Sequence, residues 1–204
     1  QLLRRRQVAT DLTLDADALA GRLLGLVDEV LVGETVAAVG VGCGGPMTLS
    51  NVDTRVSPLN IPAWRAFPLQ RVLEDHTGLP AAVDNDAKAL ALGEGWVGAA
   101  AGVEDFLAMV VSTGVGGGIV LDGRLLDGTG GNAGHVGHVI VEPEGRTCGC
   151  GARGCLEAEA SGTGIRGATG RDPAEADEAL RRRTGTLVGR AVASRRGRPR
   201  ARRG

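Results

Sequence analysis

The sequence predicts an α/β fold of layered helices and strands. Three observations carry that expectation. Short apolar runs alternate with stretches of helical period. Glycine-rich turns stand where the apolar runs end, which is where such sheets place ligands. The 204 residues, 43% of them hydrophobic, suffice for one large domain or two small ones.

Taken in order, Gln1 to Thr10 reads as a strand remnant. Leu12 to Leu31 reads as an amphipathic helix, with Leu19, Leu23, Leu26, Val27 and Val30 near a helical period and Asp11 or Thr13 as its cap. Val36 to Val41 is a buried strand entering the tight turn Gly42-Cys43-Gly44-Gly45-Pro46. Residues 51–64 are loop-like. Leu69 to His76 is a short helix stopped by Gly78, and Ala81 to Val83 is a strand. Asp84-Asn85-Asp86 then leads into a helix from Ala87 to Val97. Phe106 to Val111 is a strand with Ser112 to Gly118 as its turn. Ile119 to Leu121 and Arg124 to Leu126 form a hairpin about Asp122-Gly123. Val139 to Val141 is a strand, and helices lie near Pro173 to Arg183 and Thr186 to Ala193. Residues 194–204 form a basic, low-complexity tail, expected to be solvated and disordered.

Composition narrows the function. A net charge of −1 gives no global field that favours nucleic acid. No apolar run reaches the roughly 18 residues of a spanning helix, and no signal peptide opens the chain. The default expectation is a cytoplasmic protein. Aromatics are only 2%, so the core must be built from Val, Leu, Ala and Ile.

Three of the four cysteines fall within Cys148-Gly-Cys150-Gly-Ala-Arg-Gly-Cys155, and His138 stands ten residues before them. Thiolates and an imidazole suit a tetrahedral zinc, with Zn–S near ~2.3 Å and Zn–N near ~2.0–2.1 Å. The expected ligands are His138, Cys148, Cys150 and Cys155. Four protein ligands leave no open position, so this zinc shapes a loop and does not activate water. The alternatives are a disulfide, which needs an oxidising compartment and leaves one clustered thiol over, or free thiols.

Asp86 and Asn85 stand at a strand-to-helix junction. A carboxylate there can take a proton from a hydroxyl, and Asn85 can bind a neighbouring hydroxyl as donor and acceptor. Both are also ordinary helix caps. Ser112 to Gly118 can turn N–H groups toward phosphate, although it lacks the lysine of a P-loop, and a plain hairpin turn fits it equally. Glu157, two residues beyond Cys155, can receive sugar hydroxyls or simply begin a helix.

Together these stretches resemble the ROK family of repressors, open reading frames and kinases, which includes bacterial sugar kinases related to glucokinase. The resemblance runs from Val36 to Gly164. Its most specific piece is Cys148 to Glu157 preceded by Gly137-His138, joined by Val83-Asp-Asn-Asp-Ala87 and by the glycine loops at Gly40–Pro46 and Ser112–Gly118. The family implies an actin-like ATPase and hexokinase fold of two domains, residues 1–105 and 106–193, that closes over sugar. It implies ATP-dependent phosphorylation of a hexose, with magnesium on the phosphates. Asp86 is then the base. Asn60, Asn85, His135, His138 and Glu157 bind the sugar, and Thr113, Gly114, Gly116 and Gly117 lie against the phosphates. His135 stands where glucokinases of the family commonly have Glu, and glucose is the leading substrate that the resemblance implies. The family's other members are sugar-sensing transcriptional regulators. Assembly as a dimer or tetramer is expected, with neither membrane nor nucleic acid as a partner of this chain. Its ends depart from the family at the first phosphate loop and the adenosine-binding segment, so weak or absent turnover is expected of the chain alone.

Overall fold

The computed structural model describes residues 2–48, 53–131 and 133–195. The chain divides into two compact units, residues 1–89 with 129–131 and residues 90–128 with 132–204. Each has its own apolar core.

In the first unit, helix α1 (Ala16–Leu31) starts later than the sequence predicts. Asp15 caps it, accepting the Ala18 N–H at 2.8 Å. Asp11 is already engaged in a local turn, where it accepts from the Thr13 N–H and hydroxyl. Residues 2–10 form no strand. There the Arg4 guanidinium donates to the carbonyls of Glu29, Val30 and Val32, the cation that a helix C-terminus favours.

Five elements follow: β1 (Val39–Cys43), β2 (Met47–Thr48), β3 (Arg55–Val56), α2 (Leu69–Thr77) and β4 (Ala81–Asn85). β2 and β3 form a small antiparallel pair. Of the stretch expected to be loop, residues 51–52 lie outside the described residues, and the rest contains β3. β1 and β4 pair in parallel, from Val39 opposite Ala81 to Cys43 opposite Asn85. Val39, Val41 and Cys43 alternate onto a core that includes Leu19, Leu69, Leu73 and Val83. Trp64 and Phe67 stack at 4.6 Å in the same core. Helix α3 (Asp86–Val97) leaves β4 with no intervening loop. Asn85 and Asp86 are therefore held between two regular elements.

In the second unit, β5 (Phe106–Val111), β6 (Val115–Leu121) and β7 (Arg124–Leu125) form an antiparallel sheet. β6 is longer than expected. Gly116, Gly117 and Gly118 pair with Val110, Met109 and Ala108, so they lie in the strand and only residues 112–114 make the turn. Residues 139–141 form no strand, only a bridge from Ile140 to Cys155, because the chain there is committed to the cysteine loop. Helices α4 (Leu156–Ala160) and α5 (Gly162–Thr169) follow, and α6 (Glu178–Arg195) replaces the two predicted C-terminal helices, with a short 3₁₀ turn at Pro173–Glu175 before it. α6 continues through Gly185. A mid-helix glycine costs about 1 kcal/mol, which is offset by burying Leu187 and Ala191 against Val115, Val136 and Leu156. Residues 196–204 of the basic tail lie outside the described residues.

Candidate functional site

In the first unit the polar groups gather around the β1 exit turn. Gly44 and Gly45 leave room there. A Cβ on Gly44 would sit 3.6 Å from Asn60 Oδ1, and one on Gly45 would sit 3.8 Å from Asn85 Nδ2. The two carboxamides, far apart in sequence, thus flank one glycine pair. Asn85 does cap α3, since its Oδ1 accepts the Ala87 N–H at 3.0 Å. That bond uses the oxygen and leaves the amide group aimed at the turn. Asp86 Oδ1 also accepts the Ala87 N–H, at 2.8 Å, and the residue is exposed. The cap and the free carboxylate edge therefore coexist.

Sequence reasoning missed what stands beneath this junction. Lys88 is fully buried and its Nζ lies 3.3 Å from Oδ1 of Asp84, four residues earlier in β4. Asp84 also accepts the Asn85 N–H at 2.7 Å. The lone cation in the apolar run Ala87-Lys88-Ala89-Leu90-Ala91 was the available signal. Cys43, across the sheet register from Asn85, is buried, and its thiol is pushed up to about 11 by that burial and then by the Asp86 charge.

In the second unit the site rests on loops fastened backbone to backbone. Gly117 in β6 and Gly134 meet so closely that a Cβ on Gly134 would fall 2.6 Å from the Gly117 carbonyl oxygen. Contacts of this kind hold the 3₁₀ turn Val136–His138 against β6. His135 precedes that turn, and its ring stands edge-on to that of His138 at 6.2 Å. Asn132 lies outside the described residues.

The cysteine loop is a small knuckle. Thr147 bridges Arg153, the Cys148 N–H donates to the Ala152 carbonyl at 2.8 Å, and the Gly151 N–H returns to Cys148 at 2.9 Å. Its tip carries Cys148 and Cys150, and Cys155 lies behind at the start of α4. His138, Cys148, Cys150 and Cys155 present ligand atoms that all lie within 4.8 Å of one another. Cys148 Sγ is 3.7 Å from His138 Nδ1, and Cys150 Sγ is 3.7 Å from Cys155 Sγ. Thiolates about 2.3 Å from a tetrahedral zinc stand about 3.8 Å apart, so these two edges of the cluster have a length that suits the metal. No disulfide joins any of the four cysteines in the structure. Burial, then the neighbouring thiols, pushes Cys155 up to about 12, whereas the Ala152 N–H holds exposed Cys150 below its ordinary value. A dication is what lets such crowded sulfurs ionise together.

Glu157 sits on α4, half-buried, and its Oε2 accepts the Val115 N–H at 3.0 Å. It thus reaches the turn at 112–114. Thr113, Gly114 and Gly116 are exposed or half-exposed there, and Gly117 is buried in β6. The first turn of α5 grips the same turn. The Gly162 N–H donates to the Ser112 carbonyl at 2.7 Å, and the Thr163 hydroxyl to the Thr113 carbonyl at 2.8 Å. Behind α4, Glu159 is buried, with the Arg146 N–H at 2.6 Å and the Arg183 guanidinium at 3.0 Å. Burial raises the Glu159 carboxyl, but the Arg146 N–H and the two guanidinium groups outweigh it and hold the group below its ordinary range. This clamp on the base of the cysteine loop was also missed. An acidic residue between the apolar Leu156 and Ala160 was its only mark.

A family model described as the ROK family matches residues 1–188. This chain belongs to the ROK family. Among relatives of this ROK protein, the glucokinase of Thermotoga maritima is 45% identical over 145 residues, 71% of this chain and 45% of the relative. The N-acetylmannosamine kinase of Citrobacter koseri is 42% identical over 165 residues, 81% of this chain and 56% of the relative. The chain spans about half the length of the curated relatives it matches. A ROK hexokinase from Thermus thermophilus superposes with a TM-score of 0.76 at 36% identity, covering 92% of this chain and 67% of that one. A ROK family transcriptional regulator, described as a homologue of the E. coli MLC protein, superposes with a TM-score of 0.70 at 28% identity, covering 89% and 53%. The fold is accordingly that of the ROK sugar kinases, an actin-like ATPase fold of which this chain holds part.

Proposed function

We propose that this chain carries the sugar site and part of the phosphate site of an ATP-dependent hexose kinase, with glucose as the leading substrate. The observation that supports it most is the β4–α3 junction. There Asn85 spends its oxygen on the helix cap, keeps its amide toward the glycine pair beside Asn60, and stands next to an exposed Asp86. In this reading Asp86 takes the proton from the attacking hydroxyl. Asn60, Asn85, His135, His138 and Glu157 hold the other hydroxyls, and Thr113, Gly114 and Gly116 face the phosphates with Gly117 in β6 directly behind them. ATP with magnesium supplies the phosphoryl group and neutralises its charge. His138 gives Nδ1 to zinc together with Cys148, Cys150 and Cys155, which leaves its other nitrogen for substrate. Zinc there fixes the loop and performs no step.

The reading favours residues 1–105 and 106–193 as the two domains, a cytoplasmic location that keeps the thiols reduced, and a dimer or tetramer. Among the described residues no helix is long and apolar enough to cross a membrane.

A coupled ADP-release assay on the protein that carries this chain tests the reading, using glucose, mannose, N-acetylmannosamine and N-acetylglucosamine. The expected result is turnover, fastest with glucose. Preference for N-acetylmannosamine would move the substrate assignment to the class of the C. koseri relative. Sugar binding without ADP release from any hexose would favour the second reading, a sugar-sensing regulator, which the likeness to the MLC homologue supports.

A further inference from the structure

The candidate sugar ligand Glu157 has a second engagement that its assigned role does not explain. Its Oε2 accepts the Val115 N–H across 42 residues of sequence, at 3.0 Å. The contact is fitted: a Cβ on Gly114 would fall 2.9 Å from the same oxygen. Two residues earlier on the same chain is Cys155, a member of the Cys/His cluster. Cys155 is fully buried and opens the five-residue helix α4, so Glu157 has little freedom to shift unless Cys155 shifts with it. Just beyond α4, in the first turn of α5, Gly162 and Thr163 bind the carbonyls of Ser112 and Thr113. The segment from Cys155 to Thr163 therefore touches the metal cluster at one end and the glycine turn at three points.

We propose that Glu157 is a positioning residue, a strut that carries the geometry of the cysteine loop to the turn at 112–115, so that filling the Cys/His cluster sets the shape of that turn. The proposal rests on the zinc reading above but not on the identity of the sugar or on turnover. It explains a choice of residue. Asp at 157 would be one methylene too short to reach Val115, and a neutral group would make a weaker bond than a carboxylate accepting a backbone N–H. It also gives a zinc that performs no chemistry a reach of two loops instead of one.

Hydrogen exchange on the full chain, read at Val115 and over residues 146–154, tests it alongside metal content measured on the same samples. Samples are the parent with zinc, the parent stripped by a chelator, and Glu157→Ala and Glu157→Gln with zinc. In Glu157→Ala, exchange at Val115 should rise about tenfold, the loss of one charge-assisted hydrogen bond. Residues 146–154 should stay protected and zinc retained. Glu157→Gln keeps an acceptor oxygen and should restore most of the protection. Stripping the parent should raise both regions, and stripping Glu157→Ala should add nothing further at Val115. Gly114→Ala approaches from the other side. It presses on the carboxylate without touching α4 and should also release Val115, which keeps the test open if Glu157→Ala folds poorly. Parent protein purified without zinc would sink the zinc reading and the metal half of this proposal. Zinc-loaded protein whose Val115 amide ignores Glu157→Ala, Gly114→Ala and stripping would overturn the strut while leaving the zinc reading intact.

Discussion

The two units build their sites by opposite means. In the first, Asn85 and Asp86 are set by regular structure: a parallel strand pair ends, a helix starts, and the hydrogen-bonding pattern dictates where the side chains emerge. In the second, little around His138, the cysteines and Glu157 is regular. Glycine backbones in contact, the knuckle closed by Thr147 and Arg153, and a buried carboxylate clamp do the holding. A site of the first kind tolerates changes in its neighbours as long as the sheet forms. A site of the second kind depends on individual cross-links, and losing one should loosen several side chains together.

The largest expected effect breaks the first site chemically and leaves it folded. If the full-length protein is the kinase proposed above, Asp86→Asn should lower phosphoryl transfer about a hundredfold or more, with sugar affinity by calorimetry little changed. Retained turnover would remove Asp86 from the reaction. The matching break in the second site is Cys150→Ser. Bound zinc should fall from about one ion per chain to nearly none, with residues 146–154 losing exchange protection and those of β1 and β4 keeping theirs. Equal loosening of both units would erase the contrast drawn here.

Smaller effects compare the two buried charges. Lys88→Met leaves Asp84 without its ammonium partner. Because Asp84 is about one-third exposed, the cost should be about 2 kcal/mol and not the larger figure for a fully buried pair. Glu159→Gln should cost about 2 kcal/mol near neutral pH by weakening two arginine contacts. It should also change the pH dependence. The Glu159 carboxyl is depressed in the folded chain, so its contribution is present above its ordinary value of 4.5 and is lost as pH falls through the lower folded value. Denaturation curves of the parent should weaken on acidification in that window, and those of Glu159→Gln should weaken less. The smallest effect compares two thiols. With Cys43 pushed up to about 11, only about a thousandth of it is thiolate at pH 8. In stripped protein, iodoacetamide should therefore reach exposed Cys150 well before Cys43.

What could be read in advance follows the same division. α2, β5 and the β6–β7 hairpin were legible because apolar period and glycine stops act locally. The gathering of His138 with Cys148, Cys150 and Cys155 was legible for another reason, since soft ligands in a tight cluster have few alternative uses. The start of α1 was misplaced because Asp11, Thr13 and Asp15 are all competent caps, and only tertiary contacts choose among them. α4 and α5 were missed because five residues carry no period and Gly162, Gly164 and Gly167 argue against a helix. Glycines 116–118 read as a turn but pair as strand, since the sheet needs only their backbone. Lys88 and Glu159 were missed because a charge in an apolar run reveals its partner only once the chain has folded.

The brevity of α4 has a consequence for how this region can vary. Thiol and carboxylate are separated by one residue, so their relative bearing is fixed by helical pitch and by nothing adjustable. Inserting a single amino acid between Cys155 and Glu157 would swing the acid about 100° round the axis, away from the amide it now meets. The register from the last sulfur to this acid therefore admits no insertion or deletion.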